Sequence, residues 1–367
     1  MKILHCSNLH LDSKMSSNIG ISNEKMRKNE VLNTFLKMIN YAKENEVKVV
    51  VITGDLFDNL RTTTYTKKLV HSTIRDNKDI DFYYIIGKLS KDGLSDYFEE
   101  MPKNLKFFKD NWTKYEYDLG AGRNLVIAGV DSPKCGMEEL PKKLELDEKN
   151  YNFVTLYADI SKAGATAKLP KINIENYNNL SIDYLGLGGL LNSQKGSLQP
   201  LGKYYYPGSI EGRGFNECGE HGFVIIDINE STLVDTIEFI PFAERTYHKI
   251  EIDCTSFKKT EQLKEKVLEL VEGKYKSSDL LLIELIGKVT ISSERNTDTI
   301  KNLLLEKFFY ATVEDHTQLD IKYEDYSLDT SLRGELVRLV QGEEQLSEEQ
   351  KKEIIKCAIY ALNSDMI

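Results

Sequence analysis

Short runs of apolar residues, many of them β-branched, recur along the first two-thirds of the chain, and each is followed by glycine or polar residues. The clearest run is Val49–Ile52, which is followed by Gly54 and Asp55. A continuous apolar run of this length is typical of a strand buried on both faces of a parallel sheet. Lys2–Cys6 predicts a second such strand, with His10 shortly after it. Ligands and metals bind at the carboxyl edge of open α/β sheets, so we expect His10 and Asp55 on neighbouring strand tips.

Helical patterns alternate with these runs. Apolar residues at helical spacing predict a helix over Asn29–Glu46, preceded by a polar loop over Ser16–Lys28, and a second helix is predicted over Thr62–Asp76. The order strand, helix, strand predicts a right-handed βαβ unit. Further strands are predicted at Ile80–Ile86, Asn124–Val130, Asn152–Leu156, Asp183–Gly189, Tyr204–Tyr206, Gly222–Ile228 and Thr236–Ile240.

The character of the chain changes near Arg245. Strands at His248–Asp253, Leu280–Val289 and Ala311–Tyr323, with helices at Glu261–Glu272 and Thr297–Phe309, predict a small α+β domain. Two short helices follow from Leu332 onward, and Ser347 is the predicted cap of the second. The expected division is therefore 1–245, 246–323 and 324–367.

Composition narrows the class of protein without fixing its function. The 367 residues are 41% hydrophobic and 29% charged, which is ordinary for a globular protein, and the formal net charge of −10 does not favour non-specific binding to nucleic acid. No apolar run approaches the roughly 20 residues of a membrane span. The beginning of the chain reads as a first strand without a signal-peptide core. The five cysteines form no Cys-x-x-Cys pair, so we expect reduced thiols and a cytoplasmic protein.

Four segments together resemble a known family: K-I-L-H-C-S-N-L-H-L-D (Lys2–Asp12), G-D-L-F-D (Gly54–Asp58), D-Y-L-G-L-G (Asp183–Gly188) and Y-P-G-S-I-E-G-R-G-F-N-E-C-G-E-H-G (Tyr206–Gly222). They are similar to the SbcD family of calcineurin-like metallophosphoesterases. Its members are the nuclease subunits of the SbcC/SbcD complex, which processes DNA double-strand breaks. The resemblance implies a layered α/β/β/α metallophosphoesterase sandwich with a small α+β capping domain and a C-terminal helical segment.

The resemblance also implies a two-metal site with about six or seven ligands, and this sequence departs from that pattern. His10 and the metal-bridging Asp55 match the family, whereas Asn8 stands where the family has aspartate. The remaining ligand positions carry Lys88, Tyr157, Gly189 and Leu191, and Leu89 takes the place of the general-acid histidine. We predict that no catalytic residue of the family is retained. We expect a relic site of His10, Asp55 and Asn8 that holds no metal or one weakly bound divalent ion.

Lys88 suggests how the protein tolerates the loss of metal ligands around Asp55. Its ammonium group would lie near Asp55, and a Lys88–Asp55 pair could substitute structurally for a metal ion. Plainer interpretations remain for the other residues. His10 could be a hydrogen-bonded structural histidine, Asp55 a turn residue, and His221 a structural residue that bonds the backbone.

These observations favour a degenerate SbcD-like subunit, a pseudo-nuclease that acts as scaffold and partner of an SbcC-like ATPase in DNA end processing or repair. The resemblance implies that the C-terminal segment docks on the ATPase coiled coil and that the chain forms a homodimer. Contact with DNA is possible. The alternative is an active manganese-dependent DNA exonuclease or endonuclease that recruits other carboxylates, namely Asp12, Asp58, Asp92 and Asp159. A third interpretation is a one-metal phosphoesterase for a small substrate.

Overall fold

The computed structural model describes residues 1–15, 19–57, 62–87, 94, 97–133, 135–160, 169–291, 293–321 and 323–363. The chain divides into two compact units, Met1–Thr246 and Tyr247–Ile367. Separate hydrophobic cores lie in the two units, and each unit is described by itself below.

Strands and helices alternate at the start of the first unit, and strands then follow one another. In chain order they are β1 (Lys2–Ser7), α1 (Ile21–Glu44), β2 (Val49–Thr53), α2 (Thr64–Asp76), β3 (Asp81–Ile85), β4 (Leu105–Phe107), β5 (Thr113–Asp118), β6 (Asn124–Gly129), β7 (Tyr151–Tyr157), β8 (Tyr184–Gly188), β9 (Gln194–Ser197), β10 (Lys203–Tyr206), β11 (Gly222–Ile228) and β12 (Asp235–Pro241). These strands form two six-stranded sheets, with the orders β12-β11-β1-β2-β3-β4 and β5-β6-β7-β8-β10-β9.

The centre of each sheet is parallel and the edges are partly antiparallel. β1 to β4 run parallel in the first sheet, and β6, β7, β8 and β10 run parallel in the second. Ser7 pairs with Thr53 in the register of β1 and β2. The two strands therefore end at the same edge, and the loops after them start side by side.

The two sheets pack face to face. Side chains alternate between the two faces of each strand, so one apolar face meets the other sheet and the opposite face meets the helices. On β2, Val49 and Val51 face the second sheet, whereas Val50 and Ile52 face the helices α1 and α2. The outer face of the second sheet is covered by loops and by the 3₁₀ helices Pro141–Lys143 and Ile174–Tyr177. The predicted metallophosphoesterase-like sandwich is confirmed.

Helix α1 differs from its prediction because it begins at Ile21, inside the segment expected to be a loop. The added turns are largely polar and carry no apolar stripe. They include Arg27, which is fully buried and pairs with Glu30 and Glu211. An ion pair contributed by a distant segment therefore orders this part of the helix, and hydrophobic periodicity does not reveal such a contact.

The strands β4, β5 and β9 are absent from the sequence prediction. All three lie at sheet edges, and β5 alternates between half-buried and exposed residues along its length. Edge strands bury little apolar surface, so their sequences lack the continuous runs that identify central strands.

The second unit has a three-stranded parallel sheet. Its elements are β13 (Tyr247–Asp253), α3 (Thr260–Val271), β14 (Leu280–Ile286), β15 (Lys288–Val289), α4 (Thr297–Leu305), β16 (Tyr310–Asp315), β17 (Gln318–Leu319), α5 (Leu332–Gln341) and α6 (Glu348–Asn363). The main sheet has the order β13-β14-β16, and β15 pairs with β17. The strand predicted at Leu280–Val289 is interrupted at Gly287, which has a φ of +98°. The strand predicted at Ala311–Tyr323 is likewise divided into β16 and β17.

Helices α5 and α6 share the core of this sheet, because Val337, Val340 and Ile355 belong to the same cluster of buried side chains as β14 and α3. The predicted cap of α6 is present. Ser347 Oγ accepts a hydrogen bond from the Gln350 amide, and the Gln350 side chain accepts one from the Ser347 amide. The separate role predicted for 324–367 stays a prediction. In the described part of the chain, no helix is long and apolar enough to cross a membrane.

Candidate functional site

The loops that follow β1 and β2 run side by side at one edge of the first sheet. The Asn8 amide donates to Gly54 O at 3.3 Å, and the His10 amide donates to Asp55 O at 2.8 Å. Asn8, His10 and Asp55 are therefore brought together, and all three are buried, with exposed fractions of 0%, 3% and 2%. Their role as a relic metal site stays a prediction.

The backbone of these loops is strained. Asn8, His10, Asp12 and Asp55 have φ values of 49°, 46°, 70° and 44°, in the left-handed region that L-residues rarely adopt. Asn, Asp and His are the non-glycine residues that tolerate this region best. Strained conformations cluster at functional sites, where the surrounding structure holds them in place. The strand tips thus have the backbone character of a functional site.

Tyr157, at the end of β7 in the second sheet, covers Asp55 and Gly54. Its hydroxyl donates a 2.6 Å hydrogen bond to Asp55 Oδ2, and its side chain is 7% exposed. Burial and the neighbouring Asp55 carboxylate raise the pKa of the Tyr157 phenol well above its ordinary value. The phenol therefore keeps its proton and acts as a donor. At the position where the family resemblance implies a histidine ligand, this chain has a phenol that donates a hydrogen bond to Asp55.

Gly54 leaves the space that the tyrosine ring occupies. A Cβ atom on Gly54 would lie 2.2 Å from Tyr157 Cδ2, far inside van der Waals contact. Gly87 plays a similar part on the other side of Asp55, since a Cβ there would lie 3.0 Å from the Asp55 amide nitrogen. Both glycines also have positive φ, at 83° and 82°. The ring, the two glycines and Asp55 are packed without room for a larger side chain.

The Asn8 side chain is held by two backbone groups of the segment after β8. Its Nδ2 donates to Leu190 O at 2.5 Å, and its Oδ1 accepts from the Gly189 amide at 3.3 Å. Only an amide can donate and accept in this way, because an aspartate would place a carboxylate oxygen against the Leu190 carbonyl. Asparagine therefore fits this position better than the aspartate that the family resemblance implies.

Gly189 and Leu191 provide only backbone groups. Leu191 O accepts hydrogen bonds from the Ser209 amide at 2.9 Å and from Ser209 Oγ at 3.2 Å. The Leu169 side chain lies against Gly189, 2.9 Å from where a Cβ would be. Lys88 and Leu89 lie outside the described residues, so the Lys88–Asp55 pair stays a prediction.

The other predicted carboxylates are engaged or outside the described residues. Asp12 pairs with Lys28 at 2.5 Å and accepts from the Thr63 amide at 2.5 Å. Burial alone would raise the pKa of Asp12, but the hydrogen bonds from Lys28 and Thr63 hold it below its ordinary value. Asp159 is fully buried. Asp58 and Asp92 belong to the part of the chain that is not described.

One acidic residue was missed by sequence reasoning. Asp131 lies just after β6, and its Oδ2 accepts a hydrogen bond from the Ile86 amide at 3.2 Å. Burial raises the pKa of Asp131 above its ordinary value. The carboxylate joins the tips of the two sheets beside Gly87. Its position two residues after a buried apolar strand was a signal that could have identified it.

A second missed residue, His5, lies between the sheets beneath the strand tips. Its Nδ1 is 2.9 Å from the Tyr184 hydroxyl and its Nε2 is 3.0 Å from Thr53 Oγ1, which in turn lies 2.8 Å from Thr155 Oγ1. Burial lowers the pKa of His5 to about 3, so the ring is neutral. This network spans the sandwich and fixes β1 and β2 against β7 and β8.

The segment Tyr206–Gly222, which carries the family resemblance most strongly, is structural in this fold. Glu211 is 1% exposed and accepts hydrogen bonds from Arg27 at 2.8 Å and from Thr34 at 2.7 Å, both on α1. His221 bonds Ser209 and the Glu217 carbonyl, as the plainer interpretation predicted. The segment anchors α1.

A group of three ligand-type side chains exists elsewhere. Within the described residues, the only three His, Cys, Asp or Glu side chains whose ligand atoms all lie within 4.8 Å of one another are Glu284, Glu314 and His316, in the second unit. Lys249 Nζ lies 2.8 Å from Glu284 Oε1 and neutralises part of that cluster. The described strand-tip residues offer fewer ligands than a two-metal centre requires. They do not fit such a centre.

Comparison with known proteins supports the domain type. Residues 1–132 match the family model of calcineurin-like phosphoesterases, a family that usually consists of metal-dependent phosphoesterases. No curated protein matches the sequence. The match supports a calcineurin-like phosphoesterase domain type for the part of the chain that begins at β1 and includes Asp55.

Similar solved structures include TT1561 of Thermus thermophilus, at 10% identity and a TM-score of 0.37, covering 65% of this chain and 98% of that one. A dimetal phosphatase from Danio rerio matches at 9% identity and a TM-score of 0.38, covering 62% and 92%. The purple acid phosphatase PPD1 from yellow lupin (Lupinus luteus) matches at 11% identity and a TM-score of 0.38, covering 64% and 52%.

Proposed function

We propose that this chain, which contains a calcineurin-like metallophosphoesterase domain, is a catalytically impaired SbcD-like subunit that serves as scaffold and partner of an SbcC-like ATPase in DNA end processing or repair. The observation that carries the proposal is the closure of the strand-tip edge. Asp55 is 2% exposed beneath the Tyr157 ring, and its Oδ2 is engaged by the Tyr157 hydroxyl. In a two-metal phosphoesterase the carboxylate at this position binds the metal ions, and here the Tyr157 hydroxyl occupies the place from which an ion would approach Asp55 Oδ2.

The C-terminal helices support a partner-binding role. Leu332 and Leu339, two helical turns apart on α5, are 67% and 65% exposed, and Ile354 on α6 is 40% exposed. The opposite sides of the helices bury Val337 and Ile355 in the core of the second unit. One face of the α5–α6 pair thus packs in the core of the second unit. The other face exposes apolar side chains that could contact a coiled coil of the partner.

An aromatic surface on the first unit supports the homodimer that we propose with it. Tyr65 on α2 is 69% exposed and Tyr97 is 41% exposed. Beside them, the rings of His71 and Phe98 stack with their centroids 4.0 Å apart. Exposed aromatic residues of this kind are enriched in protein interfaces.

The test of impaired catalysis is the manganese content of the purified full chain, combined with a cleavage assay on linear duplex DNA. We expect less than one tightly held Mn²⁺ per chain after dialysis and no Mn²⁺-dependent cleavage. Two ions per chain together with cleavage would establish the alternative, an active nuclease whose ligands include residues outside the described part of the chain.

A further inference from the structure

A buried carboxylate is stable only when it is paired or hydrogen-bonded. In a two-metal phosphoesterase the cations supply that compensation for the bridging aspartate. Asp55 occupies the bridging position, but the described residues around it do not fit two metal ions. Asn8 is held by backbone groups, and Gly189 and Leu191 have no ligand atoms in their side chains. Another group must therefore compensate the Asp55 charge.

The geometry identifies Tyr157 as a group that does so. Its hydroxyl lies 2.6 Å from Asp55 Oδ2, the short distance of a charge-assisted hydrogen bond. Both side chains are buried, which makes this bond stronger than it would be in water. The ring also fills the space above Gly54, where a single added Cβ would collide with it. The hydroxyl thus engages Asp55 Oδ2, and the ring helps to keep solvent from the carboxylate, which is 2% exposed.

We propose that the Tyr157 side chain takes the place of the metal at Asp55, so that the first unit folds, and remains folded, without a divalent cation. The inference rests on the proposed loss of the two-metal centre and adds the residue responsible. Its consequence is that the strand-tip edge has become a structural joint between the two sheets, with the hydroxyl of β7 bound to the carboxylate that follows β2.

Thermal unfolding of the full chain tests this proposal. Tyr157→Phe removes only the hydroxyl, and we expect it to lower Tm by about 3–10 °C because Asp55 loses a charge-assisted hydrogen bond. The matched control is Tyr177→Phe. Tyr177 is 1% exposed, and its hydroxyl makes no hydrogen bond within the described residues, so its removal should change Tm by less than about 2 °C. Wild-type Tm should be the same in EDTA and in Mn²⁺.

Tyr157→His tests the same position by a gain of metal affinity, whereas Tyr157→Phe tests it by a loss of stability. The histidine substitution places an imidazole beside Asp55, whose carbonyl is bonded by the His10 amide, and calorimetric titration should show Mn²⁺ binding at least about tenfold tighter than in the wild type. The proposal is wrong if Tyr157→Phe unfolds at the wild-type temperature, if Mn²⁺ raises the wild-type Tm by several degrees, or if folded Tyr157→His gains no affinity. If the histidine variant does not fold, the first two measurements decide.

These results separate the inference from the proposed function. Mn²⁺-dependent DNA cleavage by the wild type would overturn impaired catalysis whatever the Tyr157 variants do. Absence of cleavage together with a neutral Tyr157→Phe substitution would overturn only the role assigned to Tyr157.

Discussion

Individual hydrogen-bond donors decide the chemistry of the strand tips. Tyr157 engages the carboxylate of Asp55, and the two backbone groups that hold Asn8 favour an amide over a carboxylate. Under the proposed function, tyrosine at position 157 has two effects, because it takes the place of the histidine that the family resemblance implies and adds a hydrogen bond to Asp55. The contacts of Tyr157 and of Asn8 are both compatible with the proposed scaffold role.

His5 leads to a prediction about pH. Burial lowers its pKa to about 3, whereas the unfolded chain binds the proton at its ordinary value near 6.5. The unfolded state then binds more protons below pH 6.5, so stability is fully present above that pH and decreases as the pH falls toward 3. We expect His5 to remove about 2 kcal/mol of the free energy of unfolding between roughly pH 7 and pH 5.

Urea unfolding at a series of pH values measures this effect. His5→Asn should be less stable than the wild type at neutral pH. Between roughly pH 7 and pH 5 its free energy of unfolding should decrease by about 2 kcal/mol less than that of the wild type. Parallel pH profiles for the wild type and His5→Asn would contradict the prediction.

Among the secondary-structure elements, α1 depends on a segment far away in sequence. Arg27 and Glu211, both with fully buried side chains, pair at 2.8 Å, and Thr34 also donates to Glu211. These contacts form a clamp that holds the segment around Glu211 against α1, a structural role that does not depend on a metal ligand.

Breaking the clamp should destabilise the first unit severely. Arg27→Met leaves the Glu211 carboxylate buried without its cation, and we expect a cost of about 3–5 kcal/mol. Lys37→Met on the same helix is the control, since the Lys37–Glu244 pair is 57% and 43% exposed and its loss should cost less than about 1 kcal/mol. Comparable unfolding midpoints in urea for the two variants would refute this account of α1.

The molecule as a whole combines two units with separate cores and different exposed features. The first unit contains the closed strand-tip edge and the aromatic surface of α2, and the second exposes leucines on its C-terminal helices. The proposed function assigns the contact between Tyr157 and Asp55 to the loss of catalysis and the exposed leucines to partner binding, and the two units can therefore be tested separately.

Binding to the proposed partner, an SbcC-like ATPase, tests the helix surface. Leu339→Glu should weaken the complex about tenfold or more, because burial of a leucine side chain contributes roughly 1.5–3 kcal/mol. Leu201→Glu is the matched control, since Leu201 is 88% exposed and belongs to the first unit, whereas α5 belongs to the second. Calorimetric titration of the full chains gives both affinities, and equal affinities for the two variants would exclude this surface.

The pattern of apolar residues was enough to locate the central strands and most of the helices, because buried strands need continuous apolar runs and surface helices need a stripe. It also placed His10 and Asp55 on adjacent tips, since parallel strands share an edge. It did not reveal the edge strands, which bury little, or the first turns of α1, which an ion pair orders. Only the folded structure showed that Tyr157 contacts Asp55 and that His5 joins the sheets, because hydrogen bonds between residues about 100 or more positions apart leave no periodic pattern along the chain.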